Sequence, residues 1–305
     1  MKVLITSGGG AKGAFSVGAL QYLLSDGGIA AFDLISGTST GSLIAGMVGA
    51  GKVDTLLDVY LNTTNADVLK PVNLIDSLTQ GKPFIFDTEP LMKQISTFMD
   101  AAAFKKIMKS NTTLCFNSVC LQTGRLSVFS TKPVMPDRHY DQFVIDDRDT
   151  LINAMLGSSN QAVFMNPVNI NNQQFVDGGN KEVIPTRVVV NNLVKNEDHD
   201  IYILSNNPND LVQIDKTFGD ILSVLMRSIS IFIQEVREND LEVLATFKKI
   251  SPSHVRIFYI CPDDELDLDF PTGLRFDNVR MQKWVTMGKR KAKKVLGDFP
   301  QGNLG

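Results

Sequence analysis

A chain of 305 residues, 43% hydrophobic and 21% charged, has an ordinary globular composition and enough length for one large core or two smaller ones. Its net charge of −3 excludes a generally basic nucleic-acid binder. No apolar run approaches the ~18 residues of a membrane-crossing helix, and the short run Val3–Ile5 is no secretory leader, so a cytoplasmic chain is expected. Cys115, Cys120 and Cys261 form no metal-ligand pattern and read as free thiols of a reducing compartment; no metal or cofactor is implied.

In chain order, Lys2–Ser7 (KVLITS) reads as a short buried strand, and Ala14–Leu24 places Val17, Leu20 and Leu24 at helical spacing. Phe32–Gly37 (FDLISG) is a second strand. Gly41–Ala50 is a second helix, with helix continuing over 54–61. Thr88 stands at the start of a further helix, as a cap, with Pro90 in its first turn. Thr113–Thr131 predicts two strands about the turn Thr123–Gly124. Pro167–Gly179 (PVNINNQQFVDGG) predicts a hairpin turning at Asn171–Asn172. Asp200–Asn206 is a buried strand. Lys216–Lys249 has helical periodicity, with Phe218, Leu222, Leu225, Ile229, Ile233 and Val236 near one face. A late strand, Val255–Pro262, and a basic helix, Val279–Leu296, complete the chain. Alternating strands and helices predict an α/β fold with a mainly parallel sheet, and no linker or repeat divides residues 1–305, so one domain is expected.

Three motifs carry chemistry. The second strand runs into Gly37-Thr38-Ser39-Thr40-Gly41 and then a helix, a G-x-S-x-G in strand–turn–helix context. A sharp turn there strains the serine backbone and lifts Oγ above the sheet. A nucleophilic serine needs a base. The candidate histidines, His139, His199 and His254, lie in polar or charged segments and read as surface residues, although His199 or His254 could reach a site from a strand end. Asp177, at the end of a predicted strand and followed by Gly178 and Gly179, is the better candidate. An ordinary Asp is a weak base, so it would have to sit against the serine hydroxyl and be partly desolvated.

The glycine-rich turn Gly8-Gly9-Gly10-Ala11-Lys12-Gly13 precedes the first helix. Backbone N–H groups at such a turn suit an oxyanion or a bound phosphate equally well. Gly8, Gly10 and Gly13 also satisfy G-x-G-x-x-G, so a nucleotide- or dinucleotide-binding loop is the alternative reading. That reading expects an acid at the carboxyl end of the second strand. Asp33 stands at its start, and Gly37-Thr38-Ser39 occupy its end.

GGGAKG, GTSTG and DGG, in this order and at strand ends, resemble the motifs of the patatin-like phospholipases. FDTEPL (residues 86–91), SVCLQTGRLSVFS (118–130) and GSSNQAVFMNPVNI (157–170) extend the resemblance over residues 1 to 205. Ala162 and Asn166 stand where the family often has prolines; Pro167 remains. The resemblance implies a three-layer α/β/α fold and a serine lipid acyl hydrolase working through a Ser–Asp dyad. Ser39 would be the nucleophile and Asp177 the base, the N–H groups of Gly8, Gly9 and Gly10 the oxyanion donors, and Gly13, Gly37, Gly41, Gly178 and Gly179 the supporting glycines. Lys12 matches the family's basic loop position; solvation of a helix terminus is its plainer role. The implied substrate is a phospholipid or related lipid ester. Peripheral membrane contact would come from the basic C-terminal helix, whose Trp284 and other apolar residues lie toward one side. The competing reading packs that side on the core, with the acidic run Asp263–Asp269 neutralising the charge.

Overall fold

In the computed structural model, strand β1 (Lys2–Thr6) is buried at the centre of a mainly parallel sheet. The structure describes residues 1–73, 79, 81–82, 84–210, 213–215, 217–250, 254–267 and 273–297. Lys216 of the predicted long helix, Leu268 and Asp269 of the acidic run, and the side chain of Leu222 lie outside the described residues. β1 pairs in parallel with β2 (Leu34–Thr38) on one side and β10 (His199–Leu204) on the other. β10 continues to β11 (Val255–Ile260), and β2 to β5 (Thr113–Cys120), both in parallel. β6 (Leu126–Ser130) returns antiparallel on β5 and pairs with β7 (Tyr140–Val144). The hairpin of β8 (Val168–Ile170) and β9 (Gln173–Asp177) joins through β9, antiparallel to β5. Its turn residues Asn171 and Asn172 both adopt positive φ (49° and 63°), the backbone that a two-residue hairpin loop requires. A separate short pair, β3 (Lys70–Pro71) with β4 (Phe86–Asp87), lies outside this sheet.

The two-residue period of the strands sets the layers. Val3, Ile5, Ile201 and Ile203 point to one face, where they meet Val188 and Val189 of one helix and Leu244 of another. Leu4, Tyr202 and Leu204 point to the other, against α1 (Gly13–Leu24), α2 (Thr40–Gly49) and the C-terminal helix. The result is the expected three-layer α/β/α arrangement. Gly51, at φ 68°, breaks α2 from α3 (Val53–Asn62), so the predicted continuation is a separate helix. A one-turn helix, α4 (Asn65–Val68), follows. Thr88 precedes α5 (Glu89–Phe98) without capping it: its hydroxyl goes to Asn166 Oδ1 (2.8 Å), and Asp87 accepts the Glu89 N–H instead (2.9 Å). The remaining helices are α6 (Ala101–Lys109), α7 (Arg148–Ser159), α8 (Arg187–Asn192), α9 (Ile221–Ile250) and α10 (Asn278–Gly297).

α10 follows the core-packing reading of the two that the sequence offered. Its Met281, Trp284, Val285, Gly288 and Ala292 are buried. A methyl on Gly288 would lie 1.9 Å from Phe15 O, so the backbones of α10 and α1 touch. Arg280 pairs with Asp267 (2.7 Å) and Lys291 with Asp263, so the acidic run does neutralise this helix. The apolar side of the helix is spent on the core. No described helix is long and apolar enough to cross a membrane.

Candidate active site

Strand β5 brings the two halves of the site together. β2 pairs with β5 as far as Thr38 opposite Asn117, and β9 pairs with it from Asp177 opposite Ser118. Because β6 holds the other edge of β5 at these positions, β9 arrives where β2 departs. Ser39 therefore leaves the sheet one register step from where Asp177 enters it, although 138 residues separate them in sequence.

Ser39 stands between β2 and α2 at φ 59°, ψ −129°. This is glycine territory, and a serine held there stores about 1–3 kcal/mol of strain. The turn survives because it is tied on several sides. The Ser39 N–H donates to Ser158 Oγ (3.1 Å), which donates in turn to Asn117 O (2.6 Å). Ser39 O accepts from both the N–H (2.8 Å) and the hydroxyl (2.7 Å) of Ser42. Gly37 and Gly41 meet where β2 crosses α2, and Gly41 also lies against Thr6 O. Ser158, the penultimate residue of α7, was not singled out as a site residue in the sequence.

The Asp177 carboxylate is buried, accepts the Gly179 N–H (2.7 Å), and shares the cleft with Ser39. Burial raises its pKa from 3.8 to about 6, against the opposing pull of Ser39 and of the Gly179 hydrogen bond. The desolvation that an aspartate base requires is thus present. Gly178 lies on Asn117 O, which brings the turn close to β5.

The glycine loop lies over Ser39. Gly8 is in contact with the serine, its added Cβ falling 3.2 Å from Ser39 Cβ. Gly9 (φ 153°) and Gly10 (φ 55°) need glycine, and a Cβ on Gly10 would lie 2.2 Å from Gly273 O. Gly8 departs from the expected donor trio: its N–H is taken by Val183 O (3.2 Å). The N–H groups of Gly9 and Gly10 have no backbone acceptor among the described residues. Gly13 opens α1 beside Thr40 and the Tyr60 hydroxyl, which are hydrogen-bonded to each other. Lys12 is only 2% exposed, which excludes the solvated helix-terminus role. Its Nζ bonds Glu265 Oε1 (3.0 Å) and Asn207 Oδ1. Asn206, which supports the loop through Nδ2 to Ser7 O (3.1 Å), was also missed. The signal was its place just past the carboxyl end of β10, where ligand sites of parallel sheets collect.

No histidine reaches this place. His199 and His254 sit at the amino ends of β10 and β11, the edge opposite Ser39. His254 bonds Asp198 (3.0 Å). His199 is buried, not solvated as expected, with Nε2 against Val194 O (2.8 Å). His139 is exposed beside Arg138. Asp33, the nearest acid for a dinucleotide reading, accepts the Lys2 N–H (2.7 Å).

Two cavities meet at Ser39. A cleft of about 470 Å³ holds Gly9, Lys12 and Asp177 and is walled by Leu225, Ile229, Phe232 and Ile233 of α9. A narrow cavity of about 90 Å³ runs to the other side between apolar residues including Leu43, Met47, Leu56, Ile95, Phe98 and Met165. Asn166 helps shape that side: Oδ1 accepts the N–H (3.0 Å) and hydroxyl of Thr88, and its carbonyl accepts Asn160 Nδ2 (2.7 Å). The asparagine that replaces a proline thus supplies hydrogen bonds that a proline side chain cannot make.

The patatin-like phospholipase family model matches residues 4–193, more than half of the chain. A probable lipid hydrolase, 463L of Invertebrate iridescent virus 6, is 26% identical over 184 residues, which is 58% of this chain and 59% of that protein. The chain therefore matches about three-fifths of that relative's length. VipD of Legionella pneumophila aligns with 97% of this chain and 67% of its own, at 13% identity and a TM-score of 0.45. The type III effector protein ExoU aligns with 97% and 52%, at 11% identity and a TM-score of 0.43. On the family match and the motifs it spans, the chain belongs to the patatin-like phospholipase family.

Proposed function

We propose that the protein is a serine lipid acyl hydrolase that cleaves carboxylic esters of phospholipids or related lipids through an acyl-enzyme on Ser39. The observation that supports this reading is the strained Ser39 sharing a cleft with a buried carboxylate, next to two backbone N–H groups without backbone acceptors among the described residues. Asp177 takes the Ser39 Oγ proton as Oγ attacks the ester carbonyl. The carbonyl oxygen becomes an oxyanion held by the N–H groups of Gly9 and Gly10. The tetrahedral centre then expels the alcohol, which receives the proton from Asp177. A water gives a proton to Asp177, attacks the acyl carbonyl and releases the fatty acid, and the Asp177 proton returns to Ser39.

The narrow cavity beside Ser39 suits an acyl chain, because its lining is almost wholly apolar. In this reading the face that meets lipid belongs to α9 and not to α10. Ile221 (90% exposed), Val224, Ile231 and Phe232 (67%) project from it beside the cleft, and Arg227 and Glu235 are the only charged residues from 221 to 236. Such a face fits the apolar boundary of a lipid aggregate.

Incubation with phosphatidylcholine vesicles is expected to yield fatty acid and lysophospholipid in equal amounts, read by mass spectrometry. Absence of turnover on vesicles and on soluble esters alike would remove the reading. Ile221→Glu with Val224→Glu, neither of which lines the cleft, should cut vesicle hydrolysis by about tenfold or more, since each aliphatic side chain withdrawn from water contributes about 1.5–3 kcal/mol. Hydrolysis of a soluble p-nitrophenyl ester should stay within about twofold of wild type, because substrate then arrives without an interface. Equal losses on both substrates would contradict the lipid-facing role.

A further inference from the structure

The segment between Asp177 and α8 runs beside the glycine loop and is held by two buried carboxylates outside the cleft. Glu182 Oε1 accepts the N–H groups of Thr186 (3.0 Å) and Arg187 (2.8 Å), and its Oε2 accepts Asn117 Nδ2 (2.7 Å). Asp240, two-thirds along α9, accepts the N–H groups of Val183 (2.7 Å) and Ile184 (2.9 Å) through Oδ2. Its backbone carbonyl takes the Thr186 hydroxyl (3.0 Å). The next link is the one already met at the site: Val183 O holds the Gly8 N–H (3.2 Å). Three residues, Asp240, Val183 and Gly8, therefore join the cleft-walling helix to the loop that presents Gly9 and Gly10.

We propose that Asp240 is a positioning residue for the oxyanion loop, its carboxylate fixing the Val183–Ile184 backbone so that the Val183 carbonyl anchors Gly8. The proposal rests on the hydrolase reading above, because it assumes that the neighbouring glycine N–H groups meet a developing oxyanion. Without Asp240, two buried N–H groups lose their acceptor and the segment must move to find others. The Val183 carbonyl moves with it. Oxyanion donors work only within a narrow window of distance, so a small shift of the loop is felt in the rate of the chemical step.

The surroundings of Asp240 add a pH dependence. Asp240 and Glu182 are both fully buried; desolvation raises the pKa of each, and the Glu182 charge raises that of Asp240 further. Arg187, 3.8 Å from Glu182, compensates one charge; Lys181 and Glu242 stand with it at the surface beside Asp240. Asp240 Oδ1 has no hydrogen-bond partner among the described residues, which suits a group that does not carry full charge. The pair thus keeps a proton near neutrality. Because both pKa values are raised in the folded state, the favourable contribution is present at low pH and is lost as pH rises through those values. An asparagine at 240 keeps the acceptor and cannot ionise.

The test measures kcat and KM of wild type, Asp240→Asn and Asp240→Ala on a soluble ester from pH 5 to 10. Asp240→Ala is expected to lose about 10- to 100-fold in kcat with KM within about twofold. Asp240→Asn should stay within about threefold of wild type at pH 7 and hold its activity about one pH unit further into the alkaline range. Wild-type kcat in Asp240→Ala, or an unshifted alkaline limb in Asp240→Asn, overturns the proposal. If Asp240→Ala does not fold, the alkaline limb of Asp240→Asn decides. Absence of wild-type turnover overturns this proposal and the hydrolase reading together. An active wild type silenced by Ser39→Ala, with Asp240→Asn unshifted, confines the failure to Asp240.

Discussion

Ser39→Ala is expected to lower ester hydrolysis by roughly 10⁴-fold or more, the scale seen when the nucleophile of an acyl-transfer site is removed. No other hydroxyl is placed to replace it. Ser158 Oγ and Ser42 Oγ are both committed to backbone carbonyls, at 2.6 Å to Asn117 O and 2.7 Å to Ser39 O. The fold should survive, because the ties of the turn run through the Ser39 backbone. Ser39→Gly sharpens the test. At φ 59° and ψ −129° glycine fits where serine is strained, so this variant should be equally inactive yet more stable, by up to about 1–3 kcal/mol, in thermal unfolding. An inactive and destabilised Ser39→Gly would mean that the turn is not strained.

Asp177→Asn should lower the rate by about 10²–10⁴-fold, the usual contribution of a general base. The amide preserves the shape and can still accept the Gly179 N–H, so the loss isolates proton transfer from packing. The wild type should show kcat/KM rising through about pH 6 to a plateau, since Asp177 must be ionised to take the Ser39 proton. Stability runs the other way. The folded-state pKa lies above the unfolded value, so the contribution of Asp177 is full below about pH 4 and is lost as pH rises through about 6. A shift from 3.8 to about 6 corresponds to about 3 kcal/mol. Asp177→Asn escapes that loss, and its melting temperature should gain on wild type between pH 4 and pH 7. A site that gives up stability when ionised and gains activity by the same step is the signature of a desolvated base. A melting difference that ignores pH would place Asp177 outside the dry pocket.

The local patterns legible in the sequence were those with short range. Strand β1, the turn into α2 and the Asn171–Asn172 hairpin follow from residues adjacent in the chain, and Ser39 and Asp177 are flagged by the glycines beside them. What brings the two together is the register of β5, set by pairings across more than 50 residues, and no local pattern encodes it. The proposed donors Gly9 and Gly10 could not be told from Gly8 by motif alone, because the difference lies in Val183 O, a backbone atom from a remote segment. The amphipathic C-terminal helix left two readings open for a related reason. Periodicity shows that a helix has an apolar face; whether α1 or a lipid covers it depends on tertiary packing. Asp240 was invisible for the same cause: one acid among several on a long helix reads as solvated until the fold buries it.

The central claim is that Ser39 forms the acyl-enzyme, and the most direct measurement is peptide-level mass spectrometry after reaction with a fluorophosphonate ester. The account predicts a single adduct on the peptide containing Ser39, lost in Ser39→Ala, and formed much more slowly in Asp177→Asn. An unmodified Ser39 in a protein that still hydrolyses lipid, or an adduct that persists on another residue of Ser39→Ala, would contradict it.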